Sequence, residues 1–173
     1  MNRIFAPPSA RVLVHATAVA LGDATRPFGR TLEDSVLLLG ESGAGKSDVA
    51  LRLIAAGAKL IADDQTALFI EGGRVFADGP STLSGCMEIR GVGIMRVDRA
   101  PAAPVLLAVR LHAEEATARL PEPEFFALPE PLQADVKVPL LRLSAYEAST
   151  PAKIAAAGIG IACGGFVAGS FSR

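Results

Sequence analysis

Residues Gly40–Ser47 read G-E-S-G-A-G-K-S and fit the pattern G-x-x-x-x-G-K-[ST] at every fixed position. An apolar strand signal, Ser35–Leu39, precedes this run, and apolar residues at helical spacing follow it from Lys46 to Ala56. In this context glycines let backbone N–H groups turn inward around phosphate oxygens, and the helix N-terminus adds positive charge. The lysine of the pattern reaches the β- and γ-phosphates, and its Ser/Thr hydroxyl binds Mg²⁺. The sequence therefore predicts an ATP–Mg²⁺ site formed by Gly40, Glu41, Ser42, Gly43, Ala44, Gly45, Lys46 and Ser47.

Composition narrows the class of protein further. Half of the 173 residues are hydrophobic, which predicts one folded domain over residues 1–173. The 17 basic and 18 acidic residues exclude a general nucleic-acid clamp, which needs a basic surplus. We find no run of about 18 uncharged apolar residues and no secretory signal at the start, so neither a membrane partner nor export is expected. Two cysteines, Cys86 and Cys163, make no disulfide framework, and a cytoplasmic location is expected.

Outside the glycine-rich loop the chain consists mainly of strand signals. One strand–loop–helix unit followed by strands and hairpins predicts an α/β fold with a mixed, mostly antiparallel sheet and few helices. A helix is expected to begin at Thr150–Pro151, with the threonine as N-cap. Loops are expected at 22–34 and 114–135. One strand broken by glycines is expected at 87–97. Unbroken strands are expected at 11–21, 35–39, 59–62, 65–71, 74–78, 105–112 and 138–143.

Two adjacent acids end the strand that follows the loop helix. Asp63 and Asp64 come 16 and 17 positions after Ser47, and a strand returning beside the loop brings its carboxyl end to the same sheet edge. Neighbours on a strand point to opposite faces, so the two acids need not share a role. One can accept a proton from an attacking hydroxyl, and the other can orient water or metal.

Four further residues have two interpretations each. Glu88 and Arg90 share a strand face and could serve a metal and a phosphate, but spacing alone favours a surface ion pair. A lone histidine within a strand, His15, is more often half-buried and hydrogen-bonded than catalytic. Arg142, a single charge in an apolar strand, is more typical of an outward-facing residue than of a phosphate contact.

Taken together, His15, the Gly40–Ser47 loop, the run L-I-A-D-D at 60–64 and the run E-I-R-G-V-G-I at 88–94 resemble the catalytic, C-terminal domain of bacterial HPr kinase/phosphorylase. This family phosphorylates a serine of HPr, the phosphocarrier of the sugar phosphotransferase system. The resemblance spans about residues 11–97 and implies a P-loop fold of the phosphoenolpyruvate carboxykinase-like kind. It also implies ATP and Mg²⁺ as cofactors, HPr or an HPr-like carrier as partner, and a homo-oligomer.

The resemblance assigns roles residue by residue. Lys46 matches the phosphate-contacting lysine, and Ser47 and Glu88 match the magnesium ligands. Asp64 matches the acid that exchanges the serine proton, with Asp63 supporting it. His15, Arg90 and Arg142 are the remaining expected catalytic residues.

Three departures from the family qualify these expectations. Residues 22–34 are longer than the usual connection between the histidine strand and the phosphate-loop strand. Few residues precede the first strand, as in a short form without the N-terminal domain, and the late P-x-R-P-G-R-N-like segment is replaced by V-P-L-L-R-L-S at 138–144. Kinase activity is therefore expected to exceed phosphorolysis. A small-molecule or carboxykinase-like P-loop kinase and a nucleotide-sensing regulatory protein are the alternative functions.

Overall fold

The computed structural model describes residues 10–80, 85–113, 117–132, 135–169 and 171. Ten strands and two α-helices lie in these ranges, together with a 3₁₀ helix at Asp23–Phe28. The helices are α1 (Lys46–Ala55) and α2 (Thr150–Cys163). The strands are β1 (Val12–Gly22), β2 (Leu32–Leu39), β3 (Lys59–Ala62), β4 (Gln65–Glu71), β5 (Arg74–Asp78), β6 (Cys86–Ile89), β7 (Gly93–Arg96), β8 (Ala103–His112), β9 (Glu124–Phe126) and β10 (Val138–Ser144).

Eight of the strands form one mixed sheet, and β6 pairs with β7 in a separate hairpin. Most pairings are antiparallel; β2–β8 and β8–β10 are parallel. The pairings β1–β2, β2–β8, β8–β5, β5–β4 and β4–β1 return to the first strand, so these five strands close a ring. The expected α/β class with a mixed, mostly antiparallel sheet and few helices is confirmed.

Residues 35–39 of β2 are buried on both faces, which explains the apolar run V-L-L-L at 36–39. Val36 and Leu38 pack into a core cluster with residues of α1 and α2, whereas Leu37 and Leu39 belong to a second cluster on the other face. Parallel strands buried on both sides read as continuous hydrophobic runs. The loop after β2 therefore follows a strand segment that is buried on both faces.

The course of β3 and β4 beside β1 sets the position of the two aspartates. Both strands pair antiparallel with the same strand, β3 through Ala62 opposite Ala18 and β4 through Gln65 opposite His15. Asp63 and Asp64 interrupt what is otherwise one long strand. Because β1 also pairs with β2, through Ala16 opposite Leu39, the interruption lies at the same edge as the glycine-rich loop. This confirms the expected placement of the acids.

Two predicted loops contain regular structure. In 22–34 a 3₁₀ helix forms and β2 begins at Leu32, three residues earlier than expected, because the buried Thr25 hydroxyl caps both the Gly22 carbonyl and the Leu32 N–H. In 114–135, part of which lies outside the described residues, β9 pairs with β10. Three residues are too few to produce a recognisable period in the sequence.

The region 87–97 is a hairpin and not one broken strand. A turn at 90–92, closed by the Val92 N–H donating to the Ile89 carbonyl at 2.9 Å, separates β6 from β7. The helix α2 begins at Thr150 but takes Ser149 as its N-cap, because the Thr150 hydroxyl donates to the Ser144 carbonyl. In the described part of the chain, neither helix has the length and apolar character needed to cross a membrane.

Candidate active site

The glycine-rich loop and the start of α1 form a cradle whose geometry suits an anion. Gly40, Gly43 and Gly45 all have positive φ, between 84° and 151°. A Cβ on Gly45 would lie 2.7 Å from the Ala145 Cβ, so a side chain there would collide with the segment after β10. These three positions therefore have backbone conformations that only glycine adopts without strain. Its backbone N–H groups and the N-terminus of α1 provide the partial positive charge that suits phosphate oxygens.

Lys46 is buried within this cradle, with 6% of its surface exposed. Its Nζ donates to the carbonyls of Gly40 at 2.8 Å and Glu41 at 3.0 Å, and lies 3.0 Å from Nε2 of His15. The ammonium therefore lies at the loop, where two carbonyls and one imidazole nitrogen accept its hydrogen bonds.

His15 connects Lys46 with Asp64. Its Nδ1 lies 3.1 Å from the Asp64 carbonyl and 3.2 Å from the Asp64 carboxylate. Because the Lys46 ammonium has only donors, His15 Nε2 must accept a hydrogen bond from it. The imidazole tautomer that satisfies all contacts therefore has its proton on Nδ1, and this N–H donates a hydrogen bond to Asp64. The imidazole thereby orients a carboxylate whose side chain is 68% exposed.

The backbone at Asp64 is unusual. Its φ of 63° makes it the one non-glycine residue with positive φ among the described residues. Its N–H donates to the Thr17 hydroxyl at 3.3 Å, and its carbonyl accepts from the Ala16 N–H at 3.2 Å. Two contacts with β1 thus hold a conformation that aspartate tolerates better than most residues do. The left-handed turn directs the carboxylate toward His15 and away from Asp63.

Asp63 has different partners. Its Oδ1 accepts from the Ser47 hydroxyl at 2.9 Å and from the Thr17 hydroxyl at 3.0 Å, and its Oδ2 accepts from the Glu88 N–H at 3.3 Å. The expectation that the two neighbouring acids face different groups is confirmed. A hydroxyl and a carboxylate in contact are oxygen ligands of the kind that Mg²⁺ uses in nucleotide sites. These residues therefore fit the expected metal.

Thr17 was not predicted as a site residue. It is fully buried and bridges both aspartates, accepting from the Asp64 N–H and donating to the Asp63 carboxylate. The one sequence feature that points to Thr17 is its position two residues after His15, because alternate residues of a strand share a face and Thr17 would lie on the same face as His15. Its partners were 46 and 47 residues away in sequence, so their identity required the pairing register of β1.

Glu88 and Arg90 do not share a strand face, because Arg90 lies in the β6–β7 turn. Within the described ranges no ion pair joins them, and both side chains are exposed. Glu88 is brought to the site by its backbone contact with Asp63. Also within these ranges, no three His, Cys, Asp or Glu side chains are grouped so as to hold a metal ion. The metal role of Glu88 and the catalytic role of Arg90 stay predictions.

Arg142 lies on β10, three residues before the Ala145 that packs on the loop. Its guanidinium donates three hydrogen bonds, of 2.9 to 3.1 Å, to the Glu124 carboxylate of β9. These bonds lower the pKa of the Glu124 carboxyl. The interpretation as an outward-facing residue matches this position, and a catalytic role would require the guanidinium to leave Glu124.

The fold and the site define an α/β protein with a glycine-rich loop beside an exposed carboxylate that a histidine contacts. Residues 31–103 match the family model for the HPr Serine kinase C-terminal domain. The similarity to this family model covers the segment that contains the loop, both aspartates and the β6–β7 hairpin.

Curated HPr kinase/phosphorylases are similar in sequence to this chain over a segment of comparable length. The HPr kinase/phosphorylase of Clostridium tetani is 44% identical over 62 residues, which cover 36% of this chain and 20% of the relative. That of Mycoplasma genitalium is 45% identical over 65 residues, covering 38% of this chain and 21% of the relative. The match thus spans about a fifth of these relatives' length.

A solved structure extends the similarity to most of the fold. The structure of the Hpr(Ser) kinase/phosphatase from Coxiella burnetii matches with a TM-score of 0.58 and 24% sequence identity. The alignment covers 83% of this chain and 91% of that chain. The shared architecture therefore includes regions outside residues 31–103.

Proposed function

We propose that this chain is an ATP-dependent protein serine kinase that phosphorylates HPr or an HPr-like phosphocarrier. The observation that carries the proposal is the contact chain Lys46–His15–Asp64, which joins the phosphate cradle to an exposed carboxylate within hydrogen-bonding distance of its orienting imidazole. We infer a single P-loop domain of the phosphoenolpyruvate carboxykinase-like kind. In line with the family resemblance, we propose a cytoplasmic homo-oligomer.

In the proposed reaction the serine Oγ of the carrier attacks the γ-phosphorus of ATP. The bond from that phosphorus to the β,γ-bridging oxygen breaks, and ADP leaves with the electron pair. The serine proton passes to the Asp64 carboxylate, which His15 Nδ1 holds in place. Lys46 Nζ transfers its hydrogen bonds from the loop carbonyls and His15 to the phosphate oxygens.

Ser47 and Asp63 are the residues that would hold Mg²⁺, with Glu88 as a nearby further ligand. When bound, the ion neutralises charge on the β- and γ-phosphates. The Thr17 hydroxyl donates to the same Asp63 oxygen, Oδ1, as the Ser47 hydroxyl, and so helps to hold that carboxylate beside Ser47.

Two features favour a protein substrate over a small metabolite. The Asp64 side chain is 68% exposed, so a serine on the surface of another protein can approach it. Exposed apolar side chains also lie on the elements that carry site residues: Leu13 precedes His15 on β1 by two residues, and Val92 and Ile94 belong to the β6–β7 hairpin that carries Glu88. Such apolar side chains near a site are typical of surfaces that contact proteins. A purely nucleotide-sensing protein would have no use for the oriented carboxylate.

The direct test is incubation with Mg-ATP and purified HPr, followed by mass spectrometry of the carrier. We expect one added phosphate on HPr and none on HPr whose acceptor serine is replaced by alanine. ATP turnover that leaves HPr unmodified would favour a small-molecule kinase. ATP binding without any turnover would favour the nucleotide sensor.

The reverse reaction is expected to be slower than the forward one. Inorganic phosphate would attack phosphoserine and release pyrophosphate, with Asp64 protonating the leaving serine oxygen. The late arginine candidate, Arg142, is held by Glu124 and not directed at the loop by these bonds. Serine-phosphorylated HPr mixed with enzyme, Mg²⁺ and millimolar phosphate should release pyrophosphate more slowly than the forward rate. Equal rates would show that other residues complete the site.

The metal proposal predicts different effects at two acids. Asp63→Asn should raise the Mg²⁺ concentration for half-maximal transfer about 10-fold or more, because it removes a charge in contact with Ser47. Glu88→Gln should have a smaller effect, since only its backbone N–H contacts Asp63. Magnesium titrations of both variants, with exposed Glu71→Gln as control, measure this. A larger shift in Glu88→Gln than in Asp63→Asn would make Glu88 the main carboxylate ligand.

A further inference from the structure

The phosphate loop has two distinct sides, because β2 is paired with β1 on one side and β8 on the other. His15 of β1 and the adjoining Asp64 occupy the first side. The second side holds the carboxyl ends of β8 and β10, which run parallel to β2. If the γ-phosphate lies near Asp64, as the proposed function requires, the nucleoside must extend toward the second side. Ligands of such sheets bind outside the carboxyl ends of parallel strands.

The segment that follows β10 is packed directly against the loop on this second side. Ala145 is buried and lies where a Cβ on Gly45 would come within 2.7 Å. Its N–H donates to the His112 carbonyl at 3.1 Å. Arg52 of α1 donates to the carbonyls of Ala145 and Glu147, the latter at 3.0 Å. The helix that begins at the phosphate loop therefore fixes the backbone on both sides of residue 146.

Residue 146 is the chain's single tyrosine, and 68% of its surface is exposed. Its backbone N–H donates to the Ser144 hydroxyl at 3.3 Å. In the described part of the chain its ring forms no aromatic or cation–π contact. An open aromatic face on a fixed backbone loses little freedom when a flat ring stacks on it. Every nucleobase has such a face.

We propose that Tyr146 forms the nucleobase subsite, with its ring stacked on the heteroaromatic base of the nucleotide whose phosphates occupy 40–47. This inference rests on the proposed function, because it requires a nucleotide at the loop. It goes beyond that function in naming the group that holds the base. The apolar ring and the anchored backbone supply affinity that is independent of the phosphates.

The test compares Mg-ATP with Mg-tripolyphosphate, which has the same phosphate chain and no base, by calorimetric titration. Tyr146→Ala should weaken ATP binding about 5- to 150-fold and leave tripolyphosphate binding unchanged. Tyr146→Phe, which keeps the ring, should bind ATP like the unaltered chain. Unchanged ATP affinity in Tyr146→Ala, or equal loss for both ligands, would overturn the proposal.

A control separates this proposal from the phosphate site itself. Lys46→Ala should weaken binding of both ligands. If Lys46→Ala binds both as tightly as the unaltered chain, the proposed function has failed and the base subsite with it. If Lys46→Ala loses both while Tyr146→Ala loses neither, only the base subsite is wrong.

Fluorescence provides a second readout. The chain has one tyrosine and no tryptophan, so its tyrosine emission reports on residue 146 alone. Saturating ATP should quench this emission, and tripolyphosphate should not. The loss of signal caused by ATP absorbance is measured with free N-acetyltyrosinamide and subtracted. Unquenched emission at saturating ATP would contradict stacking. A changed half-saturation for HPr without a changed ATP affinity in Tyr146→Ala would assign the ring to the carrier instead.

Discussion

Asp64→Asn should lower phosphoryl transfer to HPr about 10²- to 10⁴-fold while ATP affinity changes by no more than about 3-fold, the usual separation for a positioned acid–base group. Asparagine retains the size of the side chain and tolerates the left-handed backbone at this position, but it cannot accept the serine proton. Single-turnover transfer rates and ATP titrations measure the two quantities separately.

The neighbouring acid provides the matched comparison. Asp63→Asn should disturb Mg²⁺ dependence more than the proton-transfer step, because its carboxylate contacts Ser47 and Thr17. Asp98→Asn, an exposed aspartate outside the site, should behave as the unaltered chain. A greater loss in Asp63→Asn at saturating Mg²⁺ would mean that the roles of the two neighbours are reversed. Full activity in Asp64→Asn would exclude the mechanism.

Lys46→Ala is the second change with a large expected effect. It should weaken ATP binding about 10- to 150-fold, the range for a lost hydrogen bond to a charged group, and reduce transfer below detection. The physical reason is that no other ammonium among the described residues contacts the loop carbonyls. Calorimetric titration with Mg-ATP and the HPr assay measure the two effects.

Because Lys46 is buried, its removal could also disturb folding, and a second variant separates the two effects. Lys46→Met retains the length of the side chain without the charge, and its thermal unfolding should stay close to that of the unaltered chain. Lys59→Ala, an exposed lysine at the start of β3, is the matched control and should bind ATP normally. ATP binding by Lys46→Met at the normal affinity would show that the loop does not hold phosphates through this lysine.

The parts of the site that the sequence predicts are those with local patterns. The loop at 40–47, the helix after it and the acids at the end of β3 follow from consecutive residues, and all occur where expected. The fixed spacing of glycines, lysine and serine reflects one turn and one helix start, so no distant contact is needed to recognise it.

The parts that the sequence does not predict depend on register between distant strands. The contact of His15 with Asp64 joins residues 49 positions apart, and the contacts of Thr17 with Asp63 and Asp64 join residues 46 and 47 positions apart. Similarly, β9 is defined by its pairing with β10, and the β6–β7 hairpin by its strand pairing and the turn hydrogen bond between Ile89 and Val92. Burial and pairing decide these features, and a single sequence gives no direct measure of either.

The left-handed backbone at Asp64 restricts the evolution of this position. Glutamate would keep a carboxylate but would incur about 1–2 kcal/mol of strain in that conformation, and its longer chain would shift the charge away from His15. Glycine would relax the backbone and remove the carboxylate. Asparagine would fit the turn without the charge. Under the proposed mechanism no other amino acid satisfies both requirements, so only aspartate is compatible with this position.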